Sequence, residues 1–354
     1  MDPGRTRVDI EPHLLTTRQL LRSGMSQRSV TAAVRAERLH RLRPGWYAPA
    51  SFWAGAKDEE LQLAALSAFD RSRRAPAVLS HVSAATLLRF PVWSAWLRDG
   101  HGPLDPRVVH ATVPPSSRGN SPPSVRRHRC ALDAVDTMRS AGILCTTPDR
   151  TLFDLARSEP FPAALACADA VLRRSVRFGA EVDVDAWRRW REGLLGRAAA
   201  LPHGRGVRAV RALAHLAHPL SDSPLESMSR LRLLQLGIDV EPQHPVPAES
   251  GGTLRLDFLF TGLGIFGECD GKAKYFDPGL LGGRTAEDVV YDEKLRYDWI
   301  CGVTGMRGVR WGASHAARAD RLAGRLRSFD VPVPGYPTRS YGPEIAAFLD
   351  RLPR

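Results

Sequence analysis

The sequence contains few cysteines and no long apolar run. Its five cysteines, in a chain of 354 residues, are an odd number, and no two of them are spaced as Cys-x-x-Cys. This pattern excludes a disulfide framework and a locally encoded structural zinc site, and it favours reduced thiols. No segment has the length of an apolar membrane span, and the first twenty residues lack the apolar core of a signal peptide. We therefore expect a soluble, cytoplasmic protein with no membrane partner.

Lysine is also scarce, because only four of the 50 basic residues are lysines: Lys57, Lys272, Lys274 and Lys294. The formal net charge of +12 and the pI of about 10.1 nevertheless indicate a polyanionic partner, most often nucleic acid. The charge is unevenly distributed, since residues 1–220 carry a net +13 whereas residues 221–330 carry −2. The basic excess therefore lies in the front part of the chain, and an acidic segment follows it.

Residues 1–50 have the spacing of a winged helix-turn-helix domain. A helix over residues 16–22 ends at Ser23-Gly24, and Ser26 is placed to cap a second helix that runs to Glu37. Residues 39–48 alternate around Pro44-Gly45 as a two-stranded hairpin does, which predicts a small wing.

A winged helix of this kind predicts binding to duplex DNA. The exposed face of the second helix would enter the major groove, and the wing would meet phosphates or the minor groove. The expected DNA-binding residues are Arg18, Gln27, Arg28, Thr31, Arg35, Arg41 and Arg43. The alternative is a small helical domain whose solvated basic face docks another protein.

Residues 51–215 form a second predicted segment, which is mainly helical. Leucines and a phenylalanine between residues 61 and 69 fall on one helix face, and Ser80 begins a capped helix. Residues 108–113 and 143–148 are candidate strands. His81 has no nucleophile or carboxylate at a recognisable spacing, so we expect a capping or core histidine rather than a catalytic base.

Four short stretches follow one another over the first half of the chain. They are Thr-Thr-Arg-Gln-Leu-Leu at 16–21, Arg43-Pro44-Gly45-Trp46-Tyr47, Ser80-His81-Val82-Ser83-Ala84-Ala85 and Thr147-Pro148-Asp149-Arg150-Thr151-Leu152-Phe153-Asp154. In this order they resemble the AbiEi-type antitoxin family of type IV toxin–antitoxin systems, over residues 10–200. The resemblance implies a winged helix that binds its own operator DNA and a cognate toxin as a second partner.

Residues 221–330 contain the acidic residues that carry chemistry. Ser223-Pro224-Leu225-Glu226 opens a helix with the pattern of a capping box, which gives Glu226 a structural role. Strands at 254–260 and 265–271 are joined by a Gly262-Leu263 turn. The register of this hairpin places Asp257 opposite Glu268, and Asp270 points to the same face as Glu268.

Two carboxylates that oppose each other across a hairpin repel unless a cation lies between them. A divalent ion, Mg²⁺ or Mn²⁺, bound by Asp257, Glu268 and Asp270 would remove this repulsion. The alternatives are a shifted register or a salt-bridge network in which Arg255 and Lys272 neutralise the acids.

Four motifs then occur in order between residues 255 and 311. They are Arg255-Leu256-Asp257-Phe258, Glu268-Cys269-Asp270-Gly271, Glu293-Lys294-Leu295-Arg296-Tyr297-Asp298 and Gly308-Val309-Arg310-Trp311. With Glu226 before them, they resemble the PD-(D/E)xK nuclease superfamily, and within it the group around very-short-patch repair endonucleases and the DUF559 family.

The resemblance to these nucleases implies that Asp257 and Glu268 bind the metal and that Glu226 is an outer ligand or orients the base. The lysine of the superfamily, two residues after Glu268, is replaced here by Asp270. Lys272 or Lys294 could supply the catalytic cation instead, and without such a group the bound metal could still lower the pKa of its water. The glycine-rich residues 275–288 are expected to form a flexible loop beside the site.

The predicted fold class is α+β and multidomain. It comprises a winged helix at 1–50, a mainly helical middle at 51–215, a restriction-endonuclease-like α/β domain with a central mixed sheet at 221–330, and a tail or helix at 331–354. The leading functional hypothesis is a DNA-binding protein whose metal-dependent endonuclease domain hydrolyses DNA phosphodiesters. The alternative is a non-catalytic autorepressor or antitoxin with a degenerate nuclease domain.

Overall fold

The computed structural model of the chain describes residues 5–73, 77–98, 100–118, 121–270 and 285–354, apart from the side chains of residues 286, 289 and 290. The described residues form helices and several mixed β-sheets, which confirms the α+β class. They group into two compact units. The N-terminal unit comprises Pro3–Trp93 and Gly102–Leu155, and the C-terminal unit comprises Ser94–His101 and Ala156–Arg354.

The N-terminal unit begins with three short helices, a two-residue strand and a β-hairpin. Its first elements are α1 Arg7–Ile10, β1 Leu15–Thr16, α2 Thr17–Arg22, α3 Gln27–Arg35, β2 Leu39–Arg43, β3 Trp46–Pro49, α4 Ala50–Gly55 and α5 Asp58–Ser72. Thr16 and Ser26 cap α2 and α3 by accepting backbone N–H groups, and Gly24 adopts the left-handed φ of 91° at the turn between them. Strands β2 and β3 pair as the hairpin predicted at residues 39–48.

The first fifty residues share part of their buried core with the helices that follow them. Leu14, Leu42 and Phe52 share one buried cluster with Leu61 and Ala64 of α5. Apolar side chains from both sides of residue 50 fill this cluster, so both sides of the predicted domain boundary at residue 50 lie in the N-terminal unit, and the boundary stays a prediction.

The second half of the N-terminal unit is built on a sheet. Its elements are β4 Val78–Leu79, α6 His81–Leu87, β5 Val109–Val113, β6 Val125–Arg129, β7 Thr137–Ser140, β8 Ile143–Thr146 and α7 Pro148–Ser158. The strands form a mixed sheet in the order β6-β5-β4-β8-β7, over a core that includes Leu79, Ala111 and Ile143. The predicted strands at 108–113 and 143–148 are confirmed as β5 and β8, and helices still predominate over the predicted segment 51–215, although it also contains this sheet. Strand β6 was not predicted, because its sequence Val-Arg-Arg-His-Arg is too polar for the apolar alternation that marks a strand.

The C-terminal unit combines a helical part with a four-stranded sheet. Its elements are α8 Phe161–Val176, β9 Arg177–Phe178, β10 Glu181–Val182, α9 Val184–Ala199, α10 Val207–Leu216, α11 Pro224–Gln235, β11 Val240–Pro247, β12 Thr253–Phe260, β13 Ile265–Cys269, α12 Ala286–Thr304, β14 Arg307–Trp311, α13 Ala313–Ala316, α14 Ala319–Arg327 and α15 Pro343–Asp350. The sheet order is β11-β12-β13-β14, with β11 to β13 antiparallel and β14 parallel to β13. A parallel pair needs a long crossover, and α12 lies within that connection.

Two buried arginines of α11 tie this sheet domain to its flanking segments. Arg230 donates to Asp169 of α8 at 2.8 Å, and both side chains are almost completely buried. Arg232, also fully buried, donates to the carbonyl of Pro353 at 2.8 Å. The predicted boundaries at residues 215 and 331 therefore lie within one compact unit, because α11 contacts the segments on both sides.

Within the described part of the chain, no helix combines the length and the apolar character that a membrane crossing requires.

Candidate functional site

Helix α3 presents one buried and one exposed face. Val30 and Ala33 pack in a cluster with Leu20, Leu39 and Tyr47. This packing turns the other face of the helix to solvent, where the predicted DNA-binding residues lie exposed: Gln27, Arg28, Thr31 and Arg35. Within the described residues, neither arginine of this face forms an ion pair, and α3 contains no acidic side chain.

The two arginines of the wing point in different directions. Arg41 is exposed on β2. Arg43 is half-buried, with its guanidinium 4.7 Å from the centre of the Phe69 ring and its Nε donating to Ser72 Oγ at 3.1 Å. Burial lowers the pKa of Arg43 below its ordinary value. The prediction that Arg43 contacts DNA stays a prediction, although its side chain packs against α5; Arg18 on α2 is exposed.

Glu226 is buried at the start of α11 and accepts hydrogen bonds on both oxygens. Its Oε2 accepts from Asp222 N at 2.8 Å and from Gln243 Nε2 at 3.1 Å, and its Oε1 accepts from Ser223 Oγ at 2.9 Å. Ser223 Oγ accepts in turn from the backbone N–H of Glu226, which confirms the predicted helix cap. Burial, followed by the negative charge of Asp257, raises the pKa of Glu226 to about 7.

The hairpin β12–β13 has the predicted register but ends one residue early. Leu259 pairs with Phe266 and Phe258 pairs with Gly267, after which the ladder stops. Asp257 Oδ2 instead accepts the backbone N–H of Cys269 at 2.8 Å. The position opposite Asp257 in β11 is Gln243, which adopts a left-handed φ of 55° and interrupts that ladder too. Asp257 thus lies at an irregular point of both pairings, where its carboxylate replaces a backbone acceptor.

Glu268 is bound by two arginines. It is only 4% exposed; its Oε1 is paired with Arg296 of α12, and its Oε2 accepts from Arg310 Nη2 at 2.9 Å. Arg310 also lies 3.5 Å from Glu293 and 4.0 Å from Asp270. Burial alone would lower the pKa of Arg310, but the three carboxylates outweigh burial and raise the pKa above its ordinary value.

We call Glu226, Asp257, Glu268, Asp270, Glu293, Arg296 and Arg310 the acidic centre. The structure brings Asp257 close to Glu226 and brings Asp270 close to Arg310. Lys294 is exposed on α12, while Lys272 and most of the predicted loop at 275–288 lie outside the described residues. The last three residues of that predicted loop, 286–288, are instead the first turn of α12, which Thr285 caps through the N–H of Asp288.

The acidic centre does not fit a divalent metal ion in this arrangement. Mg²⁺ requires oxygen ligands that bind it directly, and both oxygens of Glu268 are held by guanidinium groups. The described residues also contain no group of three histidine, cysteine, aspartate or glutamate side chains placed to hold a metal. The Mg²⁺ or Mn²⁺ site that the sequence predicts thus has no support from these contacts and stays a prediction. The predicted salt-bridge alternative is closer to the observed contacts, and among the described residues the cations paired with Glu268 are Arg296 and Arg310; Lys272 lies outside the described residues.

No pattern in the sequence points to a role for Arg296, Arg310 or Gln243. The two arginines lie within the nuclease-like motifs, but their shared partner is distant in sequence, since Arg310 and Glu268 are separated by 42 residues. Gln243 carries no local signal, because its contact with Glu226 depends on the irregular backbone of β11.

A second group of titratable side chains lies in the N-terminal unit. His81 is buried, which confirms the expected core histidine, and its ring stacks on His128 with the centroids 3.5 Å apart. The ring nitrogens of His128 and His110 lie 3.3 Å apart. Burial lowers the pKa of His110 to about 3 and that of His128 to about 4, with Arg126 adding to both effects. At neutral pH these two rings are therefore uncharged.

No family model matches this chain. Two curated proteins of Mycobacterium tuberculosis are similar to part of it: Uncharacterized protein MT2308 of strain CDC 1551 / Oshkosh and Uncharacterized protein Rv2248 of strain ATCC 25618 / H37Rv. Each is 30% identical over 134 residues, which is 37% of this chain and 45% of the relative. The chain thus spans about half the length of the curated relatives that it matches, and their names state no activity.

Proposed function

We propose that the protein binds duplex DNA through α3 and the wing of the N-terminal unit. The observation that carries the proposal is the exposed face of α3, where Arg28 and Arg35 stand beside Gln27 and form no ion pair within the described residues. An α-helix fits the major groove, where arginine and glutamine side chains reach base edges. Arg41 and Arg18 add exposed positive charge for backbone phosphates.

The test is fluorescence anisotropy with DNA duplexes over a series of salt concentrations. The duplexes are a random-sequence pool and the segment upstream of the protein's own gene. The variant Arg28→Ala/Arg35→Ala is expected to weaken binding about tenfold or more and to reduce the slope of log Kd against log salt by up to about 2.

A matched control removes the same charge elsewhere. Arg189 and Arg208 are exposed in the C-terminal unit, and Arg189→Ala/Arg208→Ala should leave affinity near that of the wild type. Equal losses in both double variants would show that binding follows net charge alone, and would overturn the proposed role of α3.

Within this proposal the protein is a transcriptional autorepressor or an antitoxin, as the resemblance of residues 10–200 implies. The upstream segment should then bind more tightly than the random pool, because an operator adds base contacts to the phosphate contacts. A cognate toxin is a further partner under the antitoxin reading, and it would copurify with the full chain from the native host.

A second candidate function is hydrolysis of DNA by the C-terminal unit. It is favoured by the mixed sheet with flanking helices, to which α11, β12 and β13 contribute Glu226, Asp257 and Glu268. This arrangement agrees with the predicted restriction-endonuclease-like domain. Hydrolysis would require Arg296 and Arg310 to release Glu268, because in the described arrangement both of its oxygens are held by these arginines and the acidic centre does not accommodate a metal ion.

A further inference from the structure

We propose that the acidic centre is a cation site filled by the chain's own arginines, and that Arg296 and Arg310 take the place of a divalent metal ion. The inference does not rest on DNA binding. Glu268, a predicted metal ligand, has both carboxylate oxygens bound by arginines.

The sheet itself places Arg310 beside Glu268. The two residues are register partners in the parallel pair of β13 and β14. The backbone hydrogen bonds between β13 and β14 fix the Cα position of Arg310 next to that of Glu268. Neighbouring side chains on one face of a sheet are close enough to interact. The ion pair between Arg310 and Glu268 is therefore a consequence of the fold.

Each arginine is held by a contact besides Glu268. Arg296 Nη2 donates to the carbonyl of Arg255 at 2.7 Å. Arg310 stacks over the ring of Tyr297 at 5.2 Å and lies 3.5 Å from Glu293. Second contacts of this kind reduce the freedom that an arginine would need to move aside for a metal ion.

The other predicted ligands are satisfied by protein donors as well. Asp257 Oδ2 accepts the N–H of Cys269, and the oxygens of Glu226 accept three hydrogen bonds. A divalent ion would have to displace these donors and also enter beside two guanidinium charges, which repel it. Asp270 occupies the position at which the resembled nucleases have a lysine, and its carboxylate lies 4.0 Å from Arg310. The positive charge next to Glu268 is therefore supplied by Arg310 of β14 instead of by a lysine at position 270.

The experiment measures binding of Mn²⁺ to the full chain by electron paramagnetic resonance of the free ion, without DNA. The wild type is expected to bind no Mn²⁺ in a way that depends on Glu268, so Glu268→Gln should leave its titration unchanged. Arg296→Met/Arg310→Met should create a saturable Mn²⁺ site whose affinity is at least tenfold higher than that of any Mn²⁺ binding by the wild type. Adding Glu268→Gln to this double variant should abolish the site. Arg310→Lys, which keeps the charge, should not create the site.

Saturable Mn²⁺ binding by the wild type that is lost in Glu268→Gln would overturn the proposal, and so would a folded arginine double variant without a new site. Circular dichroism shows whether the double variant is folded. If it is not, the comparison of wild type with Glu268→Gln still decides the question. Thermal unfolding adds a second measurement, because a rise in Tm with MgCl₂ that disappears in Glu268→Gln would also contradict the proposal.

Discussion

Arg310 of β14 is the direct register partner of Glu268 in β13, and its Nη2 donates to Glu268 Oε2 at 2.9 Å. The carboxylate side chain is 5% exposed, whereas the side chains of Arg310 and Arg296 are each 30% exposed. The centre is therefore a buried anion under two partly solvated cations. This asymmetry makes Glu268 the residue on which the stability of the cluster depends.

Removal of the Glu268 charge is expected to destabilise the C-terminal unit. Glu268→Gln leaves two neighbouring guanidinium groups without their shared anion, and we expect a loss of about 2–3 kcal/mol in the free energy of unfolding. This is less than the ~3–5 kcal/mol typical of fully buried pairs, because solvent screens the arginines. Arg310→Met should cost about 1 kcal/mol, since Arg296 still pairs with Glu268. Urea unfolding measures both values.

Asp320 supplies the matched control for that experiment. It pairs with Arg318 in a bridge whose side chains are both more than half exposed. Asp320→Asn should change the free energy of unfolding far less than Glu268→Gln. If the two variants behave alike, the buried carboxylate has no special role in stability.

Arg41 and Arg43 should separate DNA affinity from stability. Arg41 is exposed, so Arg41→Ala should weaken DNA binding several-fold without changing the urea midpoint. Arg43 lies over Phe69 and donates to Ser72, so Arg43→Ala should lower the free energy of unfolding by about 1–2 kcal/mol and leave DNA affinity unchanged. Anisotropy and urea titrations of both variants provide the comparison. The opposite assignment of effects would return Arg43 to the DNA interface.

Local parts of this structure were predictable because short-range rules determine them. The Ser223 cap of α11 and the pairing of Leu259 with Phe266 follow from capping preference and turn length alone. The contact between Arg310 and Glu268 was not predictable in this way, because it requires the crossover through α12 and the parallel register. The inward turn of Arg43 likewise depends on α5, which no local pattern in the wing reveals.

Glu226 should make stability depend on pH. Its carboxyl titrates near 4.5 when exposed, and burial with the charge of Asp257 raises the folded pKa to about 7. The folded state therefore binds more protons between these values, and the free energy of unfolding should fall as the pH rises from about 4.5 to 7. The loss is on the order of 3 kcal/mol. Urea unfolding at several pH values should show a weaker decline for Glu226→Gln.

The exposed Glu249 provides a control for this effect. Glu249→Gln should keep the wild-type pH dependence. A decline that is identical in wild type, Glu226→Gln and Glu249→Gln would contradict the raised pKa of Glu226.

The histidines of the N-terminal unit should produce the opposite trend. The folded pKa of His110 is about 3, below the ordinary 6.5, so the unfolded state binds more protons between these values. The N-terminal unit should therefore lose stability as the pH falls below about 6.5, by about 2 kcal/mol at pH 5 for this residue. Hydrogen exchange of peptides covering β5, corrected for the intrinsic pH effect, measures the loss. His110→Gln should reduce it and the exposed His203→Gln should not; unchanged protection of the wild type at pH 5 would argue against a neutral buried imidazole.

Cleavage assays test what the arginine-filled centre means for DNA chemistry. Because Arg296 and Arg310 engage Glu268, we expect purified protein to leave plasmid and oligonucleotide substrates intact with Mg²⁺, Mn²⁺ or EDTA. Asp257→Ala and Glu268→Ala should be indistinguishable from the wild type in this assay, while all three proteins still bind DNA through the N-terminal unit. Cleavage that EDTA stops and that both substitutions abolish would establish the predicted nuclease activity. It would also require Arg296 and Arg310 to release Glu268 when DNA binds, since a metal ion needs the carboxylate oxygens that the two arginines now hold.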